Sequence, residues 1–501
     1  MRVVIGLDVG TTGARALVVD ETGEVVAQGA AEYGTATPRP GWTEQNPQDW
    51  WEGATVALRE AAAAAGGEVV GLGLTGQMHG SVFLDSAHDV IRPALLWNDQ
   101  RTVEQCAAIT SAVGEERLLE IAGNPALTGF QAPKILWLRD NEPENYERVS
   151  TVLLPKDYVR LRLTGELATD ASDAAGTLLL DVRRRDWSSD ILSALSLPYG
   201  WLPRVYEGPE VAGKLRPEAA AELGLPAGIP VAAGGGDNAA AAVGTGIIRE
   251  GLLNSSIGTS GVLFAHTDEF RPDPSGRIHA FCHAVPGKYH LMGVTLSAGG
   301  SLAWWRRVLG GDRQYAEMAD EASKVQPGAE GLLFLPYLSG ERTPHLDPEA
   351  RGAFFGLNAR HTQAHMTRAL MEGVVFSLRD SLEIMRGLGV GAQEVRATGG
   401  GARDPLWRQM QADVYGATVV RTRADEGPAY GAALLGGVAA GLYSTVEEAC
   451  EHVSLRDERT EPNYAAAAVY NEYYEAYRSL YPATADTMHR LAELSAGSDG
   501  T

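Results

Sequence analysis

The chain has very little lysine for its 501 residues, and this scarcity excludes one common class of nucleotide site. Lysine occurs only at Lys134, Lys156, Lys214, Lys288 and Lys324. None of them follows a glycine-rich run of the form G-x-x-x-x-G-K-S/T, so the sequence contains no P-loop. Any phosphate site in this chain must therefore use other groups.

Cysteine and long apolar runs are also scarce. Cys106, Cys282 and Cys450 lie far apart and form no C-x-x-C pair, which fits neither a disulfide framework nor a zinc site. The N-terminus reaches the charged Asp8 too early for a signal peptide, and the longest weakly polar run, residues 430–443, is too short to span a bilayer. We therefore expect a soluble protein of the reducing cytoplasm.

Basic residues are too few to balance the acidic ones. The chain has 42 Lys and Arg against 64 Asp and Glu, a formal net charge of −22, so we expect no nucleic-acid or anionic-membrane partner. With 45% hydrophobic and 21% charged residues, the composition is that of a folded globular protein, and the length predicts two large lobes. Small molecules are the expected partners, and the sequence leaves a homodimer open.

A pattern of strand, glycine-threonine turn and strand occurs twice along the chain. Apolar residues 3–8 lead into Gly10-Thr11-Thr12-Gly13 and two further strands, which predicts a three-strand meander. Near the middle, residues 251–257 lead into Gly258-Thr259-Ser260-Gly261 and another strand. This recurrence indicates an internal duplication of one α/β unit, although two glycine-rich hairpins could also arise by chance among 59 glycines. The duplication predicts lobes at residues 1–247 and 248–501.

Two helices have clear start and stop signals. Asn46 and Pro47 suit the cap and first position of a helix that runs to about residue 65. Asp404 and Pro405 likewise begin a helix that Gly416 ends. The second helix follows a strand at residues 394–398 and the cluster Gly399-Gly400-Gly401, where glycines let a nucleotide approach the backbone at a helix N-terminus. The alternative is a β-α turn that needs glycine only for its dihedral angles.

The two glycine-threonine turns predict a phosphate site. Each turn presents backbone amides and hydroxyls in a small space, so the two turns together could grip a triphosphate without a lysine. Asp8 stands just before the first turn at the end of a buried strand, where a carboxylate can hold magnesium beside the phosphates. The alternative role for Asp8 is to cap the turn.

One carboxylate is a candidate catalytic base. Residues 230–233 form an apolar strand that runs into three glycines and then Asp237-Asn238, which exposes a carboxylate at a strand end. Phosphoryl transfer needs a base in such a position to accept the proton of the attacking hydroxyl. The alternative is that Asp237 caps a helix beginning at Asn238.

A match to the dinucleotide fingerprint at residues 71–76 is discounted. Val70, Leu72 and Leu74 alternate as a strand through the glycines, whereas the fingerprint needs a helix to open there. The polar loop that follows contains Gln77 and His79 between glycines, and this position favours contact with a ligand over a buried structural histidine.

The glycine turns resemble the phosphate and adenosine motifs of the FGGY carbohydrate kinases over nearly the whole chain. The residues that carry the resemblance are 8–12, 258–261 and 399–403, together with the segments 76–80, 96–99, 154–158, 235–238 and 335–344. The resemblance implies an α/β fold of two actin-like, ribonuclease H-like lobes around a central cleft, as in the sugar kinase, actin and chaperone superfamily.

The resemblance also implies roles for individual residues. The implied catalytic residues are Asp237, as base, and Asp8, on the magnesium side. The implied sugar contacts are Gln77, Met78, His79, Trp97, Asp99 and Asn238. The implied ATP contacts are Thr11, Thr12, Arg15, Gly258, Thr259, Ser260, Gly399, Gly400, Gly401 and Ala402.

The resemblance implies a kinase that uses ATP and magnesium to phosphorylate the 5-hydroxyl of D-xylulose. A kinase of the same fold for another ketose or polyol is the alternative, since a pocket contact or two can switch substrates. A non-catalytic, actin-like ATP-binding module is disfavoured by Asp237. A dinucleotide oxidoreductase would depend on the discounted glycines alone.

Overall fold

The structure is a computed structural model that describes residues 1–424 and 427–496. Its strands are β1 Arg2–Val9, β2 Gly13–Asp20, β3 Val25–Glu32, β4 Glu44–Gln45, β5 Glu68–Gly76, β6 Val82–Leu84, β7 Ala94–Leu95, β8 Thr151–Leu153, β9 Ala168–Asp170, β10 Leu180–Asp181, β11 Asp186–Trp187, β12 Arg204–Tyr206, β13 Val211–Lys214, β14 Pro230–Ala232, β15 Gly235–Gly236, β16 Leu252–Ile257, β17 Gly261–Thr267, β18 His279–Cys282, β19 Tyr289–Thr295, β20 Leu333–Leu335, β21 Ala353–Phe355, β22 Glu394–Thr398, β23 Thr418–Thr422 and β24 Leu455–Thr460.

The α-helices are α1 Pro47–Ala64, α2 Val103–Val113, α3 Glu115–Ala122, α4 Gln131–Asn141, α5 Pro143–Glu147, α6 Pro155–Thr164, α7 Ala171–Ala175, α8 Ser189–Leu195, α9 Pro217–Leu223, α10 Asp237–Gly244, α11 Gly299–Val308, α12 Tyr315–Ser323, α13 Gln363–Gly387, α14 Pro405–Tyr415, α15 Gly427–Ala439, α16 Val446–Glu451 and α17 Tyr464–Ala496. Short 3-10 helices cover Tyr199–Trp201, Ala329–Gly331 and Gly400–Arg403.

Two large sheets have the same central topology. In the first, the order is β13-β14-β5-β1-β2-β3; β1 pairs antiparallel with β2 and parallel with β5. In the second, the order is β18-β19-β17-β16-β22-β23-β24; β16 pairs antiparallel with β17 and parallel with β22. The strand, turn and strand pattern noticed twice in the sequence therefore occupies the same place in each sheet.

The local signals in the sequence predicted several elements correctly. The meander is confirmed as β1, β2 and β3, and α1 begins at Pro47 with the Asn46 side chain accepting the amide of Gln48. Helix α14 is capped by Asp404, whose side chain accepts the Trp407 amide, and it ends at the left-handed Gly416. A 3-10 turn over Gly400–Arg403 begins inside the glycine cluster at residues 399–401 and leads to this helix, and the sequence did not indicate it.

Helix α15, from the second half of the chain, packs on the first sheet. A β-carbon on Gly6 of β1 would overlap the Ala429 carbonyl, and one on Gly73 of β5 would overlap the Ala432 carbonyl. The glycines of the discounted fingerprint therefore let a helix approach the strand backbone closely, and β5 runs through them as predicted. The apolar residues of α1 join those of β1 and β5 in a separate buried cluster.

Among residues 1–424 and 427–496, no helix is both long and apolar enough to cross a bilayer.

Candidate active site

The candidate site forms where three parallel strands end side by side. Strand β5 pairs in parallel with β1 and with β15, so residues 8–12, 77–79 and 237 follow neighbouring strand ends. Ligands of α/β proteins commonly bind outside the carboxyl ends of such strands. The topology therefore brings together the first turn, the Gln77 loop and the candidate base.

Asp237 is the first residue of α10 and does not cap this helix. Gly236 is the residue at the helix cap position, and Asp237 Oδ1 accepts the backbone amide of Asn238 at 2.7 Å and its side-chain amide at 2.8 Å. Within the described residues, Oδ2 has no hydrogen-bond partner. Burial raises the pKa of Asp237 to about 6, although the two bonds from Asn238 oppose it. The carboxylate is thus ionised at neutral pH, with one oxygen available to accept a proton.

The His79 ring is held in one orientation by a hydrogen bond to the backbone and by aromatic packing. Its backbone is left-handed, with φ of 68°, and its Nδ1 lies 2.6 Å from the carbonyl oxygen of Gly176. Since a carbonyl can only accept, Nδ1 carries the proton and Nε2 is left as an acceptor. Burial lowers the pKa of His79 to about 3, so the ring is neutral, and its edge packs on Phe130 with centroids 4.9 Å apart.

Met78 lies between Gly236, which precedes the candidate base Asp237, and Gly176, which accepts the His79 hydrogen bond. A β-carbon on Gly236 would be 2.9 Å from Met78 Cγ, and one on Gly176 would be 3.0 Å from Met78 Cε. Both glycines therefore lie directly against the Met78 side chain, which is buried. Met78 thus lies next to Gly236, which precedes Asp237, and next to Gly176, which holds the His79 ring.

A hydrogen-bonded chain connects the first turn with the predicted sugar loops. The Trp97 indole donates to Thr11 Oγ1 at 3.0 Å, and the Thr11 hydroxyl donates to Gln77 Oε1 at 3.2 Å. Gln77 Nε2 in turn donates to Gln45 Oε1 at 2.9 Å, and Gln45 Nε2 donates to the Thr11 carbonyl at 2.7 Å. The Trp97 N–H is therefore already engaged within the protein, and contact of Trp97 with a sugar stays a prediction.

Asp99 is fully buried and engaged within the protein. It accepts Nε and Nη2 of Arg101, the latter at 2.7 Å, and the backbone amide of Thr43 at 2.7 Å. The Arg101 guanidinium also covers the Trp42 ring at 3.7 Å. Direct contact of Asp99 with a sugar stays a prediction, and the geometry gives this carboxylate a supporting part under the Trp97 loop.

Asp8 fits a magnesium site of the kind that relies on nucleotide phosphates. In the described part of the chain, no three histidine, cysteine or acidic side chains come together to hold a metal. Magnesium usually takes one or two protein carboxylates and completes its octahedron with phosphate and water oxygens. Asp8 is half-buried on β1, opposite Arg15 on β2, and next to the first turn, so it can supply such a carboxylate.

The second glycine-threonine turn, residues 258–261, lies next to the glycine cluster at residues 399–401. Strands β16 and β22 end in register, with Ser256 beside Thr398, and a β-carbon on Gly399 would be 2.6 Å from the Ile257 carbonyl. The start of α11 supports the turn, because the amides of Gly299 and Gly300 donate to the carbonyls of residues 258 and 259. The predicted nucleotide contacts at residues 258–260 and at Gly399 and Gly400 thus lie side by side, whereas Gly401 is buried against Ile257.

The exposure of these nucleotide candidates differs. Thr12, Thr259, Gly399 and Gly400 are exposed, and a β-carbon on Gly400 would meet open space. Ala402 is instead buried in the hydrophobic core, so its side chain lies beneath the turn. Their contacts with ATP remain predictions.

Several supporting residues carried no signal in the sequence. Tyr33 donates to the Gly10 carbonyl at 2.7 Å, and burial together with the nearby Asp8 raises the pKa of its phenol. Lys134 donates to the His79 carbonyl at 2.9 Å, and burial lowers its pKa to about 7. Gln45, on the short strand β4, also carried no signal, since a lone glutamine belongs to no motif.

Paired sheets of one topology, with glycine turns at their strand ends, are the architecture of the two-lobed sugar kinases, and the chain has this fold. Residues 3–244 match the N-terminal domain of the FGGY family of carbohydrate kinases, and residues 253–440 match its C-terminal domain. The chain belongs to the FGGY family of carbohydrate kinases.

Individual relatives are similar over nearly their whole length. The xylulose kinase of Escherichia coli is 43% identical, with 95% of this chain and 98% of that protein covered. A solved xylulose kinase from Rhodospirillum rubrum is 31% identical, with a TM-score of 0.91 and 97% and 100% covered. A gluconate kinase from Lactobacillus acidophilus is 26% identical, with a TM-score of 0.93 and 98% and 99% covered.

Proposed function

We propose that this chain is a cytoplasmic kinase that transfers the γ-phosphoryl group of ATP to the 5-hydroxyl of D-xylulose. The observation that carries the proposal is the pairing of Asp237, with Oδ2 open, and the fixed Met78-His79 loop. The xylulose kinase from Escherichia coli, at 43% identity, supports this sugar over others. We also propose that residues 1–247 and 248–501 form the two lobes.

A second candidate substrate is a sugar acid. The gluconate kinase has a TM-score of 0.93 but only 26% identity, so the fold alone accommodates both classes of sugar. Neutral His79 presents an acceptor at Nε2 and adds no positive charge for a carboxylate, which favours a neutral ketose hydroxyl.

The proposed reaction needs one proton transfer and one displacement. Asp237 Oδ2 accepts the proton of the 5-hydroxyl, the resulting oxygen forms its bond to the γ-phosphorus, and the bond from that phosphorus to the β-γ bridging oxygen breaks to release ADP. Met78 and His79 fix the sugar so that the hydroxyl meets the carboxylate, and such positioning supplies much of the rate.

ATP and magnesium are the proposed co-substrate and cofactor. Thr11, Thr12 and the surface formed by residues 258–260 and 399–401 would hold the nucleotide, and Asp8 would hold the metal. A magnesium ion held by Asp8 would supply positive charge to offset the charge that develops on the transferred phosphoryl group. The amides and hydroxyls of the two turns orient the phosphates in place of a lysine.

The substrate assignment predicts a strong preference among sugars. ADP release with D-xylulose should exceed release with glycerol and with gluconate by at least about 100-fold in kcat/KM. Glycerol lacks polar groups that the site would pair, and gluconate brings a carboxylate charge that neutral His79 does not balance. A coupled ADP assay with the three compounds at equal concentrations measures this preference. Faster turnover of gluconate would favour the second candidate, and faster turnover of glycerol would contradict a ketose site.

The raised pKa of Asp237 predicts an acidic limb in the rate profile. The base works only when ionised, and burial places its pKa at about 6, so kcat/KM for D-xylulose should fall as pH decreases through about 6. Initial rates from about pH 5 to about pH 8 test this, with the coupling enzymes in excess at every pH. A profile that stays flat down to about pH 5 would show that this carboxylate does not accept the proton.

A further inference from the structure

Five ionisable side chains lie together in the dry interior behind the candidate site. Lys156 Nζ lies 2.7 Å from Asp157, 2.7 Å from Asp170 and 3.0 Å from Asp173. Arg160 pairs with the same Asp157 at 2.5 Å. All five side chains are 0–1% exposed, and we name them the Lys156 cluster. Such a group is costly to desolvate, so its presence beside a catalytic centre calls for a physical role.

The Lys156 cluster can be electrically neutral. Burial raises the pKa of Asp173 well above its usual range, with Asp170 and Asp157 adding to the effect and Lys156 opposing it. With Asp173 protonated, the two cations balance the remaining two carboxylates. A neutral and rigid cluster can then serve as an anchor in the interior.

The cluster is bonded to the segment that carries Asp237. Asp170 Oδ1 accepts the Ser172 hydroxyl at 2.5 Å, and Ser172 Oγ accepts the Gly236 amide at 3.1 Å, one residue before the base. Arg160 Nη2 also donates to the Ala233 carbonyl on the same segment. Arg160 directly, and Asp170 through Ser172, thus connect residues 233 and 236 to the cluster.

Ser172 belongs to the short helix α7, and the residue that follows this helix holds the His79 ring. Helix α7 starts immediately after Asp170 and contains Ser172 and Asp173, and Gly176, just past its end, accepts His79 Nδ1 at 2.6 Å. The base and the sugar-loop histidine are therefore both supported by residues 170–176. The relative position of the two groups depends on this one segment.

We propose that Ser172, held by the Lys156 cluster, is a positioning residue that sets the distance between Asp237 and His79 for phosphoryl transfer. This inference rests on the proposed function for its kinetic consequence. Ser172 itself touches neither substrate nor reacting atoms, and it acts through the Gly236 amide. A displacement of the base by about 1 Å is enough to lower a rate by up to about 100-fold.

The test compares Ser172→Ala with Thr169→Val. Thr169 is also fully buried in the same segment, but its hydroxyl has no hydrogen-bond partner, so its loss leaves the anchor intact. Ser172→Ala should lower kcat with D-xylulose about tenfold while KM for ATP stays within about twofold. Thr169→Val should keep the wild-type kcat. Equal kcat in the two variants would overturn the proposal.

Amide hydrogen exchange without substrate gives an independent readout. The segment 233–238 should exchange faster in Ser172→Ala than in wild type or Thr169→Val, because the Gly236 amide loses its acceptor. Unchanged exchange in Ser172→Ala would overturn the proposal even if the rate fell. A wild type that is inactive on D-xylulose would defeat only the proposed function, since the exchange result would still decide whether Ser172 holds the segment.

Discussion

Replacing Asp237 with asparagine should lower kcat with D-xylulose by roughly 10² to 10⁴-fold, the usual range for loss of one acid-base group. Asparagine keeps the shape of the side chain and can still accept from Asn238, but it cannot take up the hydroxyl proton. ATP affinity should hardly change, because the proposed nucleotide contacts lie in the glycine turns. A coupled ADP assay measures the rate, and nucleotide titration measures the affinity.

The matched control for this variant is Asp190→Asn. Asp190 also stands in the first turn of a short helix, α8, but it is exposed and forms an ion pair with the exposed Arg117 at 2.5 Å. This control should keep both the rate and the melting temperature. If Asp237→Asn melted early but kept its rate per folded molecule, Asp237 would be a structural residue. If the variant kept both its rate and its melting temperature, Asp237 would have no part in the mechanism.

Replacing Lys156 with methionine should reduce stability by about 3–5 kcal/mol. Burial opposes the charge of Lys156, but Asp157, Asp170 and Asp173 together outweigh burial and raise the pKa of its ammonium above the usual value. Methionine fills a similar volume but leaves three buried carboxyl groups facing one another with only Arg160 as a cation. Thermal melting at fixed pH and protein concentration measures the loss.

The same substitution at Lys214 is the control. Lys214 is exposed on β13, so Lys214→Met should change stability by no more than about 0.5 kcal/mol. Equal melting temperatures for the two variants would mean that the ammonium of Lys156 contributes nothing net to the buried cluster. Such a result would also remove the anchor that the proposal for Ser172 requires.

Local sequence signals were enough to predict the parts of the fold that short segments determine. Caps at Asn46 and Asp404 predicted where α1 and α14 begin, because the side chain, the proline and the closing glycine all lie within one helix. The position of Asp237 directly after a strand end was also predicted, because an apolar strand followed by glycines places the next polar side chain there; its role as base stays a prediction. Predictions of this kind need no knowledge of what lies across the molecule.

The supporting contacts of the site could not be predicted, since they join residues far apart in sequence. Gln45 meets Gln77 across 32 positions, and the His79 ring meets Gly176 across 97. Asp99 looked like a sugar contact from its motif, but only the fold reveals Arg101 and Thr43 around it. The need for glycine at positions 71 and 73 could not be predicted either, because it arises from the close approach of α15 to the strand backbone.

Because α15 packs on the first sheet, elements from the two halves of the chain are in direct contact. A β-carbon on Gly431 would overlap the Ala240 carbonyl of α10, so the helix that begins with Asp237 lies directly on a helix encoded some 190 residues later. A first half made without residues 427–439 would leave the backbone of β1 and β5 open to water. During synthesis on the ribosome, the proposed base Asp237 therefore acquires its final surroundings only when nearly the whole polypeptide has emerged.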